Sequence, residues 1–200
     1  MTSASLLVPM GHLAVAAAGS APGARAEERE AIEACQRGER EAFDRLVERY
    51  QRDVYRLCYR YVNNHHDAND LVQDVFIKAY RAIGRFRGDS SFSTWLYRIA
   101  VNTCLNFRAL RRPPIAPVDE GVADARADAL GDIVREERAR RVREAVSGLP
   151  EKQRATLILK IYHDLTHEEV AGILGSSVGT VKANLFHALG NLRKRMGVTE

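Results

Sequence analysis

Cysteine is scarce in this chain. Cys35, Cys58 and Cys104 are odd in number, widely spaced and without a Cys-x-x-Cys pair. That pattern fits neither a disulfide framework nor a cysteine zinc site, and it suits a reducing cytoplasm. Long apolar runs are also missing, so no membrane insertion is expected. No strand-like alternation exceeds a few residues, and there is no internal repeat. A Gly-rich phosphate loop, a nucleophile elbow and a Cys–His arrangement are all lacking. The sequence therefore offers no catalytic constellation and calls for no cofactor.

What is present is helical patterning and positive charge. The chain has 200 residues, a net charge of +4 and a pI of about 9.1. That length suits one domain or two small ones. The excess charge is modest, so its location matters more than its size. The clearest local signal runs from Leu165 to Met196. Thr166 and Glu169 have capping-box spacing, which predicts a helix from His167 with Val170, Ala171, Ile173 and Leu174 on its apolar face. Gly175 supplies a left-handed stop, and Ser176 or Ser177 caps a second helix. There Val181, Leu185, Ala188, Leu189, Leu192 and Met196 share one face, while Thr180, Lys182, Asn184, His187, Asn191 and Lys194 lie on or near the other. Two helices around a tight glycine turn form a helix-turn-helix, whose second helix enters the DNA major groove. From Ser176 to Met196 the charged residues are Lys182, Arg193, Lys194 and Arg195, with no acid. A merely solvated helix mixes both signs, so this one favours phosphate.

Upstream, residues 1–27 read as a disordered N-terminal extension rich in Ala, Gly, Ser and Pro. A secretory signal is disfavoured, because a basic n-region is lacking and Pro9, Gly11 and His12 interrupt the apolar stretch. Deleting residues 1–25 is expected to leave activity intact. A first helix, with Ala31, Ile32, Ala34 and Cys35, ends at Gly38. A second carries Phe43, Leu46, Val47, Tyr50, Val54, Leu57, Cys58 and Tyr61 at steps of three and four. Asn63-Asn64-His65-His66 breaks it, and Asp67 caps a third helix that runs to about Ile83, with Leu71, Val72, Val75, Phe76, Ala79 and Tyr80 inward. Ser91 or Ser93 starts a fourth, through Trp95, Leu96 and Ile99 to about Leu110. Pro113 and Pro114 stop it. Residues 112–131 read as a linker. A helix from Asp132 and another after Pro150 precede the helix-turn-helix. The predicted fold is all-α: two small helical bundles, 28–111 and 132–196, joined by a flexible tether.

Between Lys78 and Arg112 the basic residues are Lys78, Arg81, Arg85, Arg87, Arg98, Arg108, Arg111 and Arg112, against a single acid, Asp89. Tyr80, Phe86, Phe92, Trp95, Tyr97 and Phe107 are interleaved. Cations that track phosphates, beside rings that accept unstacked bases, make a single-strand site. Trp95, Leu96 and Ile99 fit the core, while Phe86, on a turn, is the better stacking candidate.

These residues resemble a known family. Phe86-Arg-Gly-Asp-Ser-Ser-Phe-Ser-Thr-Trp-Leu-Tyr-Arg-Ile-Ala100, preceded by Asp70-Leu-Val-Gln-Asp-Val-Phe-Ile-Lys-Ala-Tyr80, is similar to region two of bacterial sigma factors of the extracytoplasmic-function (ECF) group. Leu165 to Arg195 resembles their region four. The resemblance implies a factor that binds core RNA polymerase, directs it to promoter DNA and promotes −10 melting, with no enzymatic chemistry of its own. It implies that Asp70, Gln73, Asp74 and Phe76 dock on the β′ clamp. Ala82, Phe86 and Asn102 match a pocket for a flipped −10 base, and Ser90, Ser91 and Phe92 the loop beside it. Arg98, Asn106 and Arg111 match the face that follows the strand. Thr180, Lys182, Ala183, Asn184, Phe186 and His187 match the −35 reading helix, with Lys194 a further cation on it. The β flap and an anti-sigma factor are the other implied partners.

The chain departs from the family where Asn184 and His187 replace the usual arginines and where Gly190 sits inside the helix. Fewer fixed charges weaken phosphate contact and lower the salt slope. Two other readings compete. One is an ordinary helix-turn-helix regulator with a sensor bundle. The other is a metal phosphohydrolase, suggested by His65-His66-Asp67 and His163-Asp164. The six histidines, His12, His65, His66, His163, His167 and His187, are too scattered to favour a metal site.

Overall fold

In the computed structural model the described residues are 22–110 and 129–197, with side chains from 23 and from 136 onward in the two segments. The expected tether, apart from residues 129–131, and most of the N-terminal extension lie outside them. The described residues form α1 (Pro22–Gln36), α2 (Glu41–Val62), α3 (His65–Ala82), a 3-10 turn (Ile83–Arg85), α4 (Phe92–Leu110), α5 (Ala129–Ser147), α6 (Glu151–Leu157) with a wider π turn (Ile158–Tyr162), α7 (His167–Leu174) and α8 (Val178–Arg195). No strand occurs among them. Because α1 starts at Pro22, residues 22–27 are helical rather than part of the extension.

Helix ends follow short-range chemistry. Asn63 adopts φ 52° and stops α2, a conformation asparagine tolerates better than most residues. Asn64, not Asp67, caps α3, because its side chain accepts the Asp67 amide at 2.9 Å. His65 and His66 thus belong to the helix, and the break is only two residues long. Ser91 caps α4 by accepting the Thr94 amide at 3.1 Å. The capping box of α7 is complete: Thr166 Oγ1 accepts the Glu169 amide at 3.1 Å, and Glu169 Oε2 accepts the Thr166 amide at 2.8 Å. Gly175 closes that helix at φ 59°, and Ser177 caps α8 by accepting the Thr180 amide at 3.1 Å.

α2 buries Phe43, Leu46, Tyr50, Val54, Leu57, Cys58 and Tyr61 along one stripe, as a helix packed on one side must. α3 and α4 close over it with Leu71, Val75, Leu96, Ala100 and Val101. The two bundles do not stand apart. Ile158, Leu159, Leu165, Val170, Ala171, Ile173 and Val181 of the C-terminal half join the same apolar core. A smaller cluster of Val146, Leu149, Leu157 and Ala188 holds α5, α6 and α8 together. The Arg154 guanidinium, almost fully buried, donates to the carbonyls of Val146, Ser147 and Leu149. It thereby satisfies orphan acceptors at the end of α5.

Polar contacts finish the seam between the halves. Arg60 of α2 lies 3.4 Å from the centre of the Tyr162 ring, a cation–π contact. Arg98 of α4 donates to the Gly172 carbonyl of α7 at 2.7 Å. Tyr97 meets His163 edge to face at 5.1 Å. His163 is buried, and neither ring nitrogen has a hydrogen-bond partner. Burial, then the Arg60 and Arg56 guanidinium groups, lower its pKa to about 4, since all three disfavour a charged imidazole.

Candidate nucleic-acid interface

The loop from Ile83 to Ser91 joins α3 to α4. Phe86 stands at the end of the 3-10 turn, half-buried, its ring edge-on to Phe92 at 5.7 Å and tilted on Trp95 at 5.3 Å. Phe86 is therefore packed against the core yet not fully buried. Arg81, Arg85 and Arg87 around it are exposed. Gly88, at φ 76°, takes the left-handed turn that lets the chain reverse toward Ser91. Ser90 and Ala82 are half-buried and Ser91 is exposed, while Asn102 and Asn106 are exposed along α4. This arrangement has the two components a melted strand needs, cations and an accessible ring.

Two residues implied by the resemblance are placed differently from that expectation. Phe92 is only 2% exposed and packs on Tyr50 at 5.5 Å. It supports Phe86 from within and has no face for a base. Arg98 is exposed, and one of its guanidinium nitrogens is engaged with Gly172 across the seam, which leaves its other N–H donors for a strand. Arg111 lies outside the described residues. Lys78, counted among the cations, is exposed and donates to Thr103 Oγ1 at 3.1 Å. Of the expected core residues, Leu96 is fully buried and Trp95 and Ile99 are half-buried.

Asp70, Gln73 and Asp74 are exposed on α3. Phe76 is not on that surface: it is 8% exposed and meets Phe43 edge-on at 6.4 Å. Ile77 takes the place expected of it, 48% exposed and one turn beyond Gln73 and Asp74, hence on their face. The sequence hid Ile77 because an apolar residue inside a helix reads as core. Tyr80, expected inward, is also largely exposed.

α8 needs fewer corrections. Thr180, Lys182, Ala183, Phe186, His187 and Lys194 are exposed, and Asn184 is half-buried. Phe186 is 75% exposed and touches the His187 ring edge at 5.6 Å. The buried stripe is narrower than expected, since Leu189 and Met196 face solvent. Asn191 donates to Gln153 Oε1 at 2.8 Å and so faces α6. Arg195 donates to the Gly148 carbonyl at 2.8 Å. It pins α8 to the end of α5 and is spent on structure.

Two further features bear on chemistry. Cys58 and Cys104 approach to 3.8 Å with both thiols free and buried. The hydrogen bond that Cys104 donates to Cys58, together with burial, pushes the Cys104 thiol well above its usual range. Among the described residues no three His, Cys, Asp or Glu side chains gather into a metal-holding group. No helix among them is long and apolar enough to cross a membrane.

A helix-turn-helix with an exposed reading helix, packed on a helical bundle that carries a cationic loop, defines a two-part DNA-binding protein. Comparison with known proteins narrows this class. Residues 46–112 match the family model described as Sigma-70 region 2, and residues 139–192 match Sigma-70, region 4. The chain is 40% identical over 173 residues to the RNA polymerase sigma-H factor of Pseudomonas aeruginosa, across 81% of this chain and 90% of that protein. It is 43% identical over 168 residues to the ECF RNA polymerase sigma-E factor of Escherichia coli, across 78% of this chain and 87% of that protein. Two solved structures share its fold. CnrH in complex with the cytosolic domain of CnrY has a TM-score of 0.67 at 24% identity, covering 87% of this chain and 99% of that one. The sigma factor RpoE in complex with the anti-sigma factor NepR from Bartonella quintana has a TM-score of 0.64 at 23% identity, covering 79% and 98%. The chain belongs to the sigma-70 family of RNA polymerase sigma factors, in its ECF group. It binds core RNA polymerase and promoter DNA and directs promoter-specific initiation of transcription.

Proposed function

We propose that the two halves divide promoter recognition. Region two holds −10 bases flipped out of the duplex, and region four reads the −35 duplex through α8. The observation that carries this reading is the incomplete burial of Phe86 among the exposed Arg81, Arg85 and Arg87. Each base stacked on an aromatic side chain is worth about 1–3 kcal/mol, and unpairing one costs a few kcal/mol. A small number of such contacts tips the balance toward melting. Ala82, Ser90, Ser91, Asn102 and Asn106 complete the strand path. Thr180, Lys182, Ala183, Asn184, Phe186, His187 and Lys194 form the −35 surface. The polymerase performs nucleotide transfer, and this chain acts in the cytoplasm as a non-enzymatic factor.

Docking on the β′ clamp falls to Asp70, Gln73 and Asp74, with Ile77 as the apolar contact, while region four meets the β flap. Each half alone makes few DNA contacts, and polymerase turns the pair into a bivalent reader. The closed packing is the resting form, with Arg98 of region two tied to Gly172 of region four. An anti-sigma partner, of the kind bound to the Bartonella relative, stabilises an inactive arrangement. Run-off transcription tests the whole reading. Core polymerase with this protein initiates at a promoter that core alone ignores; no added transcript would contradict it. Alanine at Asn102 reduces opening more than polymerase binding.

A further inference from the structure

The turn that carries Phe86 is held from a distant part of the chain. α3 ends at Ala82, and the 3-10 turn that follows closes with the Phe86 amide donating to the Ile83 carbonyl at 3.0 Å, while the Phe86 carbonyl just beyond it meets an amide from a side chain. Gln36, the last residue of α1, supplies it. Its Nε2 donates to the Phe86 carbonyl at 2.8 Å and to the Ile83 carbonyl at 3.3 Å. A primary amide carries two N–H donors, so one nitrogen serves both acceptors. The far side of the same loop is fixed separately, by Ser91 accepting the Thr94 amide. Gln36 lies before the segment matched by the region 2 model, which begins at residue 46.

We propose that Gln36 is a positioning residue for −10 strand capture. By gripping the two carbonyls it fixes where the turn ends. That sets the Phe86 ring against Trp95 and Phe92, short of full burial, for the incoming base. The proposal rests on the base-capturing role of Phe86. Gln36 is an exposed side chain, so its bonds compete with water and its loss leaves the fold intact. The expected penalty is correspondingly moderate, about three- to tenfold in strand binding.

The full chain with core polymerase provides the test, in variants Gln36→Ala, Gln36→Glu and Gln36→Lys beside Phe86→Ala. The probe is a promoter selected by the wild-type holoenzyme from a pool randomised at −10 and −35, offered as single-stranded −10 DNA and as −35 duplex. Gln36→Ala weakens single-strand binding about three- to tenfold, with core affinity, −35 binding and melting temperature unchanged. Gln36→Glu, the same shape with an acceptor facing two carbonyls, weakens it more. Gln36→Lys, which keeps a donor, restores most of it. Trp95, the single tryptophan of the chain, reports the turn directly: acrylamide quenches it more readily in the Ala and Glu variants. The proposal is overturned if Phe86→Ala weakens strand binding while the Gln36 variants do not. It is overturned equally if core affinity and −35 binding fall together with strand binding. If Phe86→Ala itself has no effect, the base-capture reading fails before Gln36 is at issue.

Discussion

The two DNA-facing surfaces of this molecule are built in different ways. Region four presents its proposed reading residues on one helix, α8, and leaves nearly all of them to solvent. Region two assembles its surface from the end of α3, a turn and α4, braced from beneath by Phe92 and Tyr50. The first surface follows from helix periodicity alone. The second exists only once three elements have packed, so residues beside one another in sequence, such as Ser91 and Phe92, have opposite fates.

Phe92→Ala breaks that comparison most sharply. If Phe92 is a brace, truncation costs about 3–5 kcal/mol of stability, the range for a buried aromatic residue. Urea unfolding should show it, and strand binding should fall only because the loop is lost. A stable variant with selectively weakened DNA binding would make Phe92 a surface contact after all.

The seam between the regions gives the next effect. His163 is packed neutral, its pKa lowered from 6.5 to about 4 by burial and by Arg60 and Arg56. In the unfolded chain it takes a proton near pH 6.5, whereas packed it does so only near 4. Its packing contribution is therefore complete above about pH 6.5 and falls as pH drops toward 4. The loss reaches about 3 kcal/mol at most. Tyr97 faces the ring, and burial pushes the Asp53 carboxyl above its ordinary value. Unfolding midpoints from pH 7 to 4.5 should fall less steeply in His163→Leu than in the wild type. Parallel slopes would assign the acid sensitivity to Asp53 or other carboxylates.

The smallest change sharpens the picture of α8. A methyl group at Gly190 would meet nothing within 4 Å. Gly190→Ala should stabilise the chain by about 1 kcal/mol, as expected inside a helix, with −35 affinity unchanged. Thermal unfolding and duplex binding check both halves of that statement. Destabilisation would mean that α8 needs the glycine for a bend.

The sequence made the helix-turn-helix legible because its signals are local. Thr166 with Glu169, Gly175 and Ser177 each act within one turn of chain, and all occur as read. Phe76 is buried against Phe43, as its spacing on α3 predicts, and only the docking role implied by the resemblance set it on the surface. Phe92 was misplaced for the opposite reason: its burial depends on Tyr50, distant in sequence and close only in the fold. The seam was equally out of reach. Nothing near Arg98 announces Gly172, and nothing near Tyr162 announces Arg60. The α3 cap fell to Asn64 because a side chain one position after the left-handed Asn63 is already placed to meet the Asp67 amide. Asp67 itself sits too far into the helix to do so.

The central claim is that the loop around Phe86 keeps DNA strands apart once polymerase has been recruited. Strand opening at a selected promoter, followed by a fluorescent base analogue in the −10 element, tests it most directly with Phe86→Ala. The expected result is about a tenfold fall in opening, the worth of one stacked base, with core-polymerase affinity within about twofold of the wild type. Opening that survives the substitution, or that falls only in step with polymerase binding, would contradict the claim.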